Sequence, residues 1–108
     1  MANTFKSAAT GSNTAITTMY TCPAATSAVV HAMYLSNIDG TNDATISVSV
    51  SGSANFQTRI YLLKTVDVPA DSTVVIEKPV NLGASDKLET QASADGDIDV
   101  FASILEIT

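Results

Sequence analysis

The sequence predicts an all-β chain folded as an antiparallel β-sandwich, jelly-roll or Ig-like, of about seven or eight strands with an extended N-terminal arm. Three observations carry that expectation. β-Branched residues recur in short alternating runs, turn-forming clusters fall roughly every ten residues, and no amphipathic pattern lasts three helical turns. The alternation is plainest from Ala44, where Ala44, Ile46, Val48 and Val50 share one parity and Thr45, Ser47, Ser49 and Ser51 the other. This is the period of a strand with one buried and one wet face.

Each remaining element has its own signal. A first strand over Ala15 to Thr21 alternates more loosely and stops at Pro23, which has no ladder donor to offer. Ala28 to Asn37 is apolar on both parities, with Val29, His31, Met33 and Leu35 opposite Val30, Ala32 and Tyr34, and so predicts a central strand covered on both sides. Ile38 to Asp43 is rich in turn formers, with Gly40 and Asn42 tolerant of positive φ. It predicts a hairpin joining this strand to the one at Ala44.

Thr58 to Val66 gives a fourth strand. Thr73 to Lys78, ended by Pro79, gives an edge strand, and Lys87 to Ser93 another member of a sheet. Ile98 to Ile107 alternates through Phe101, Ser103, Leu105 and Ile107 against Val100, Ala102 and Ile104, almost to the last residue.

The chain divides into a polar arm, residues 1–14, and a sandwich domain, residues 15–108. With 108 residues there is room for one core, and a chain of this size buries roughly two-thirds of its unfolded surface without needing metals or disulfides. Around Phe5 the arm has too few apolar residues to join that core. Its order is expected to come from Phe5 and its backbone packing on a neighbouring subunit.

Composition narrows the function. Eleven Asp and Glu against five Lys and Arg give a net charge of −6, the wrong sign for binding phosphates by counterion release, so nucleic acid is not an expected direct partner. No window has the eighteen or so apolar residues of a membrane span, and the first ten residues lack an apolar run of signal-peptide length, so no membrane partner is expected either.

Catalytic signals are weak. His31 is the lone histidine and reads as structural; Cys22, next to Pro23 and without a Cys-x-x-Cys partner, reads as a small buried hydrophobe. There is no nucleophile elbow and no phosphate loop, so an enzyme is not expected, nor an organic cofactor.

Asp95-Gly96-Asp97-Ile98-Asp99 is the one candidate metal site. Carboxylates at alternate positions resemble the opening of a calcium loop, although no twelve-residue loop or closing Glu follows. The plainer reading is an acidic turn that keeps a strand edge soluble. Tyr20, Tyr34, Tyr61 and Phe56 raise the question of a sugar-stacking platform. With three Tyr, three Phe and no Trp in the chain, packing at the core or at interfaces is the better expectation. Phe5, Tyr34 and Tyr61 are the candidate interface anchors.

Taken together, Met19-Tyr20-Thr21-Cys22-Pro23-Ala24, Ala28-Val29-Val30-His31, Leu35-Ser36-Asn37, Asp39-Gly40-Thr41, Leu62-Leu63-Lys64, Val68-Pro69-Ala70, Val74-Val75-Ile76 and the closing Asp97 to Glu106 resemble small β-sandwich structural proteins of tailed bacteriophage particles. The resemblance covers about residues 15–107 and rests on turns and core positions. It implies a non-enzymatic virion protein, assembled in the host cytoplasm and present as a homo-oligomer, with phage capsid or tail proteins as partners. The role it favours is a capsid decoration or cement protein that stabilises the coat lattice. The alternatives are a tail, neck or fibre component and a glycan-binding module.

Overall fold

Alternating β-branched residues favour extended backbone, and strands so formed must hide their apolar parity against a second layer. The computed structural model describes residues 3–52 and 59–108 and resolves that requirement into two antiparallel sheets. Among the described residues nine strands occur: β1 (Asn3–Gly11), β2 (Thr17–Thr21), β3 (Ser27–Asn37), β4 (Ala44–Ser51), β5 (Ile60–Val68), β6 (Thr73–Ile76), β7 (Val80–Leu82), β8 (Lys87–Ala92) and β9 (Ile98–Ile107). One sheet has the order β1-β9-β3-β6, with β7 also pairing β3; the other has the order β2-β8-β4-β5. With the three-residue β7 set aside, this is the strand order of a jelly roll, which settles the choice left open between jelly-roll and Ig-like sandwiches.

The core lies between the sheets. Val30, Met33, Leu35, Val100 and Ile104 of the larger sheet meet Ile46, Val48, Val68 and Leu88 of the smaller, all essentially without solvent contact. Each such side chain contributes about 2 kcal/mol of apolar transfer free energy, offset largely by chain entropy. No helix of the described residues is long and apolar enough to cross a membrane.

Four expectations need correction. The hairpin between β3 and β4 does not form: β3 belongs to the larger sheet, β4 to the smaller, and residues 38–43 carry the chain between them. Both edges of β3 are already taken, by β9 on one side and by β6 and β7 on the other. Asn37 fixes the crossing, since its Nδ2 donates to the Asn42 and Val68 carbonyls at 3.0 and 2.9 Å. Positive φ occurs at Asp71 and Gly96 of the loops at this end, and not at Gly40 or Asn42.

Strand β3 is central but covered on one face only. The pairing with β9 slips between Val30 and Ala32, so Val30 and Met33 both point inward and His31 is exposed at the bulge. Strand β4, expected to have a wet face, has none. Ser47, Ser49 and Ser51 are buried, the Thr65 amide donating to Ser47 Oγ at 2.9 Å and Ser51 Oγ donating to Glu89 Oε1 at 2.6 Å. The edge strand expected over Thr73 to Lys78 is β6, which stops at Ile76, and beyond Pro79 a short strand that was not expected, β7, also pairs with β3. The fourth strand starts at Ile60; Thr58, its expected start, lies outside the described residues.

Residues 3–11 of the expected arm are a strand. They pair along their whole length with β9 of the same chain, Phe5 opposite Leu105 and Gly11 opposite Asp99, so a neighbouring subunit is not needed to order them. Most residues of β1 are exposed, and Ala8 is the apolar residue of this strand that packs against the interior. It ends in an anchored link, where Ser12 N donates to the Ile98 carbonyl and Thr14 N to Asp95 Oδ1, both at 2.8 Å.

Candidate docking face

In antiparallel sheets, residues directly opposite each other stand on the same face. Along β9 the even positions Ile98, Val100 and Ala102 point into the core, so Phe101 and Leu105 point out. Opposite Phe101 stand Ala9 on β1 and Tyr34 on β3, and opposite Tyr34 stands Val75 on β6. Opposite Leu105 stand Phe5 and Val29. The outer face of the larger sheet therefore carries two apolar rows, Ala9-Phe101-Tyr34-Val75 and Phe5-Leu105-Val29.

The Tyr34 and Phe101 rings lie 6.2 Å apart between centroids and tilted by 46°, a pairing that holds both side chains upright. Phe5 is 79% exposed, Tyr34 45% and Phe101 42%. A shallow groove of about 460 Å³ runs beside Tyr34 and Phe101, lined also by Ala9, Ser36 and Asp99. The two rows lie on either side of the Ser7-Ser103 pair, and exposed apolar side chains grouped in this way mark an interaction surface.

The outer face of the smaller sheet has different chemistry. Glu89 lies there almost fully buried, its Oε1 accepting from Arg59 Nη2 at 3.0 Å and its Oε2 from Thr18 Oγ1 at 3.4 Å, under a floor of serines. The hydrogen bond from Ser51, those from Arg59 and Thr18, and the Arg59 charge hold its carboxyl below the usual range despite burial. Tyr61 stands at the far edge with Lys64 Nζ 4.5 Å from its ring centroid. Of the three expected anchors, Phe5 and Tyr34 share a face and Tyr61 lies on the opposite one.

The sugar platform does not assemble. Tyr20 turns inward, where its hydroxyl donates to Glu106 Oε2 at 2.5 Å, Tyr34 and Tyr61 are on different sheets, and Phe56 lies outside the described residues. Nor do the three turn carboxylates gather. Asp95 Oδ1 caps Thr14 N, Asp99 sits on the outer face opposite Gly11 and Ser36, and no three His, Cys, Asp or Glu among the described residues form a metal-holding group. Cys22 is buried and free, as its sequence context implies, with Sγ donating to the Thr26 carbonyl at 3.3 Å.

What joins the outer strand to the core is a polar contact that sequence reading missed. Glu106 of β9 is buried, accepts the Tyr20 hydroxyl from β2, and pairs with Lys6 Nζ of β1 at 3.3 Å. The Tyr20 hydrogen bond, with help from Lys6, depresses the Glu106 carboxyl; burial and the same carboxylate push the Tyr20 phenol well up. Because the folded carboxyl titrates below its unfolded value, its stabilising contribution is whole at neutral pH. It fades as the pH falls through the folded value. Hydrogen-exchange protection factors of Thr4 to Ala8, normalised to those of β3, are expected to fall between about pH 7 and pH 3. In Glu106→Gln they should already be low at pH 7 and change little on acidification.

No protein-family model matches the chain, and no curated protein does. Among solved structures the chain is similar to one in the acidic stable capsid of the Helicobacter pylori bacteriophage KHP30, with a TM-score of 0.54 and 12% identity over all of this chain and 89% of that one. It is also similar, at a TM-score of 0.43 and 12% identity, to a chain of the T13 IBDV viral particle, where the match covers 96% of this chain and 30% of that one. At such identity the first likeness is one of fold.

Proposed function

We propose that the chain is a non-enzymatic structural protein of a phage particle, a capsid decoration protein that docks on the coat lattice through the outer face of its larger sheet. The observation that carries this reading is the set of exposed apolar side chains on that face, Phe5, Tyr34, Val75 and Phe101, on a jelly roll whose fold is similar to that of a chain of a phage capsid. A jelly roll alone does not decide, since capsids and lectins both use it. The apolar face favours a protein partner over a glycan, because its Tyr34 and Phe101 rings are tilted against each other instead of spread as a sugar platform. A net charge of −6 suits a position on the outside of a shell, away from packaged DNA.

The test uses particles of the phage that encodes the chain, assembled with and without it. Co-sedimentation with heads, and DNA release at a lower temperature when the chain is missing, is the expected result. Equal heat stability, or copies confined to the tail in three- or six-fold rings, moves the protein to the tail, neck or fibre. Binding in a glycan array with no affinity for particles replaces the reading altogether.

A further inference from the structure

A sheet edge that stays open invites another strand, and soluble proteins blunt their edges with bulges, prolines or charges. Three of the four edges here are blunted in that way. Strand β2 has a bulge at Met19 and stops before Pro23; β5 has two irregularities in its pairing and a positive φ at Thr65; β6 is four residues long and is followed by Glu77, Lys78 and Pro79. Strand β1 is nine residues long, without bulge or proline. Its one charge, Lys6, is turned to Glu106 of its own chain.

We propose that the free edge of β1 pairs with β1 of a second copy, antiparallel and centred on Ser7. The two larger sheets then become one continuous sheet with a two-fold axis through its middle, the self-complementary kind of interface. This register brings Phe5 of one copy opposite Ala9 of the other. Ala9 lines the groove beside Phe101 and Tyr34, so the most exposed large side chain of one copy enters the apolar groove of its neighbour. Odd residues meet odd residues, which keeps both apolar faces on the same side.

Charge selects the same direction. The link between β1 and β2 and the loops after β3, β5 and β8 share one end of the sandwich, and Asp39, Asp43, Asp71, Asp95, Asp97 and Asp99 cluster there. None of the five Lys and Arg lies in those loops. Antiparallel pairing sets the acidic ends at opposite extremes of the dimer. A parallel arrangement would place them side by side. The proposal does not depend on where in a particle the protein sits.

Sedimentation equilibrium of the full chain tests it. The expected species is a dimer whose Kd rises roughly tenfold or more in Phe5→Ala, with the melting temperature little changed because Phe5 is exposed in the single chain. Ser7→Cys supplies the register, since Cα atoms paired on the two-fold are about 5 Å apart and within disulfide reach. Oxidation should give a covalent dimer from Ser7→Cys and none from the parent chain, whose Cys22 is buried. A monomer at all concentrations up to about 100 μM, a trimer or larger ring, or a dimer indifferent to Phe5→Ala without the Ser7→Cys cross-link overturns the proposal.

Discussion

Tyr34→Asp is expected to reduce binding to capsid particles by a hundredfold or more, while the isolated domain stays folded at a cost of about 1–2 kcal/mol. Tyr34 is in β3, an inner strand of the larger sheet between β9 and β6, its ring tilted on Phe101 and flanked by Val75. A large aromatic at the centre of an apolar patch is where truncation costs most, and a carboxylate there would have to shed its water against apolar neighbours. Half of its surface is already exposed in the single chain, so the loss on folding is limited to one ring pairing and some strand preference. Tyr61→Asp, on the opposite sheet, is the control and should leave particle binding unchanged. If both substitutions act alike, or neither acts, the docking face is misassigned.

Gly52→Ala is expected to destabilise the fold by about 3 kcal/mol, lowering the melting temperature by about 15 °C. Gly52 follows β4 with φ of +119°, which L-residues rarely adopt, and an added Cβ would stand 2.8 Å from the Ser85 carbonyl oxygen and 3.1 Å from Asp86 Cα. Both obstacles are backbone and both are tied down. Ser85 N donates to the Cys22 carbonyl at 2.9 Å, Cys22 N to the Asp86 carbonyl at 2.8 Å, and Asp86 Oδ2 accepts from Gly83 N at 2.8 Å. A melting curve within a few degrees of the parent would mean that this corner yields more easily than its hydrogen bonds imply. Ser85, at φ 70°, is strained in the same corner, and Ser85→Gly is expected to stabilise it slightly.

Local patterns were legible where burial enforces them. Strand β9 runs from Ile98 to Ile107 as its alternation predicts, because Val100, Ala102 and Ile104 must all face the core. Strand β1 was not, since a ladder of backbone hydrogen bonds to β9, and not apolar burial, holds it, and ladders leave no mark on side-chain order. The turn at 38–43 announced a reversal without saying whether the chain returns to the same sheet. Alternation along β3 was misread for a local reason, the one-residue bulge at His31, which inverts parity for everything before it.

The docking face was half visible. Phe5 could be named as an anchor because it is the large apolar residue of a polar arm, and Tyr34 because the chain has few aromatics. Phe101 could not, for along β9 it alternates like a buried residue, and only the pairing of β9 with β1 and β3 shows that its parity faces outward. Asp95 and Asp99 take separate places, the first capping Thr14 N and the second standing opposite Gly11 on the outer face.

The position of β9 also orders events in time. It comes after every other described strand in chain order and stands between β1 and β3, so the larger sheet cannot close until β9 has been made. Sheets built on such distant pairings fold in milliseconds to seconds. During that interval β1 and β3 each offer an edge matched to the same missing strand, and a β9 released by a neighbouring chain fits either one. Slow synthesis at low local concentration should therefore give more correctly folded protein than rapid overexpression, whatever the stability of the finished fold.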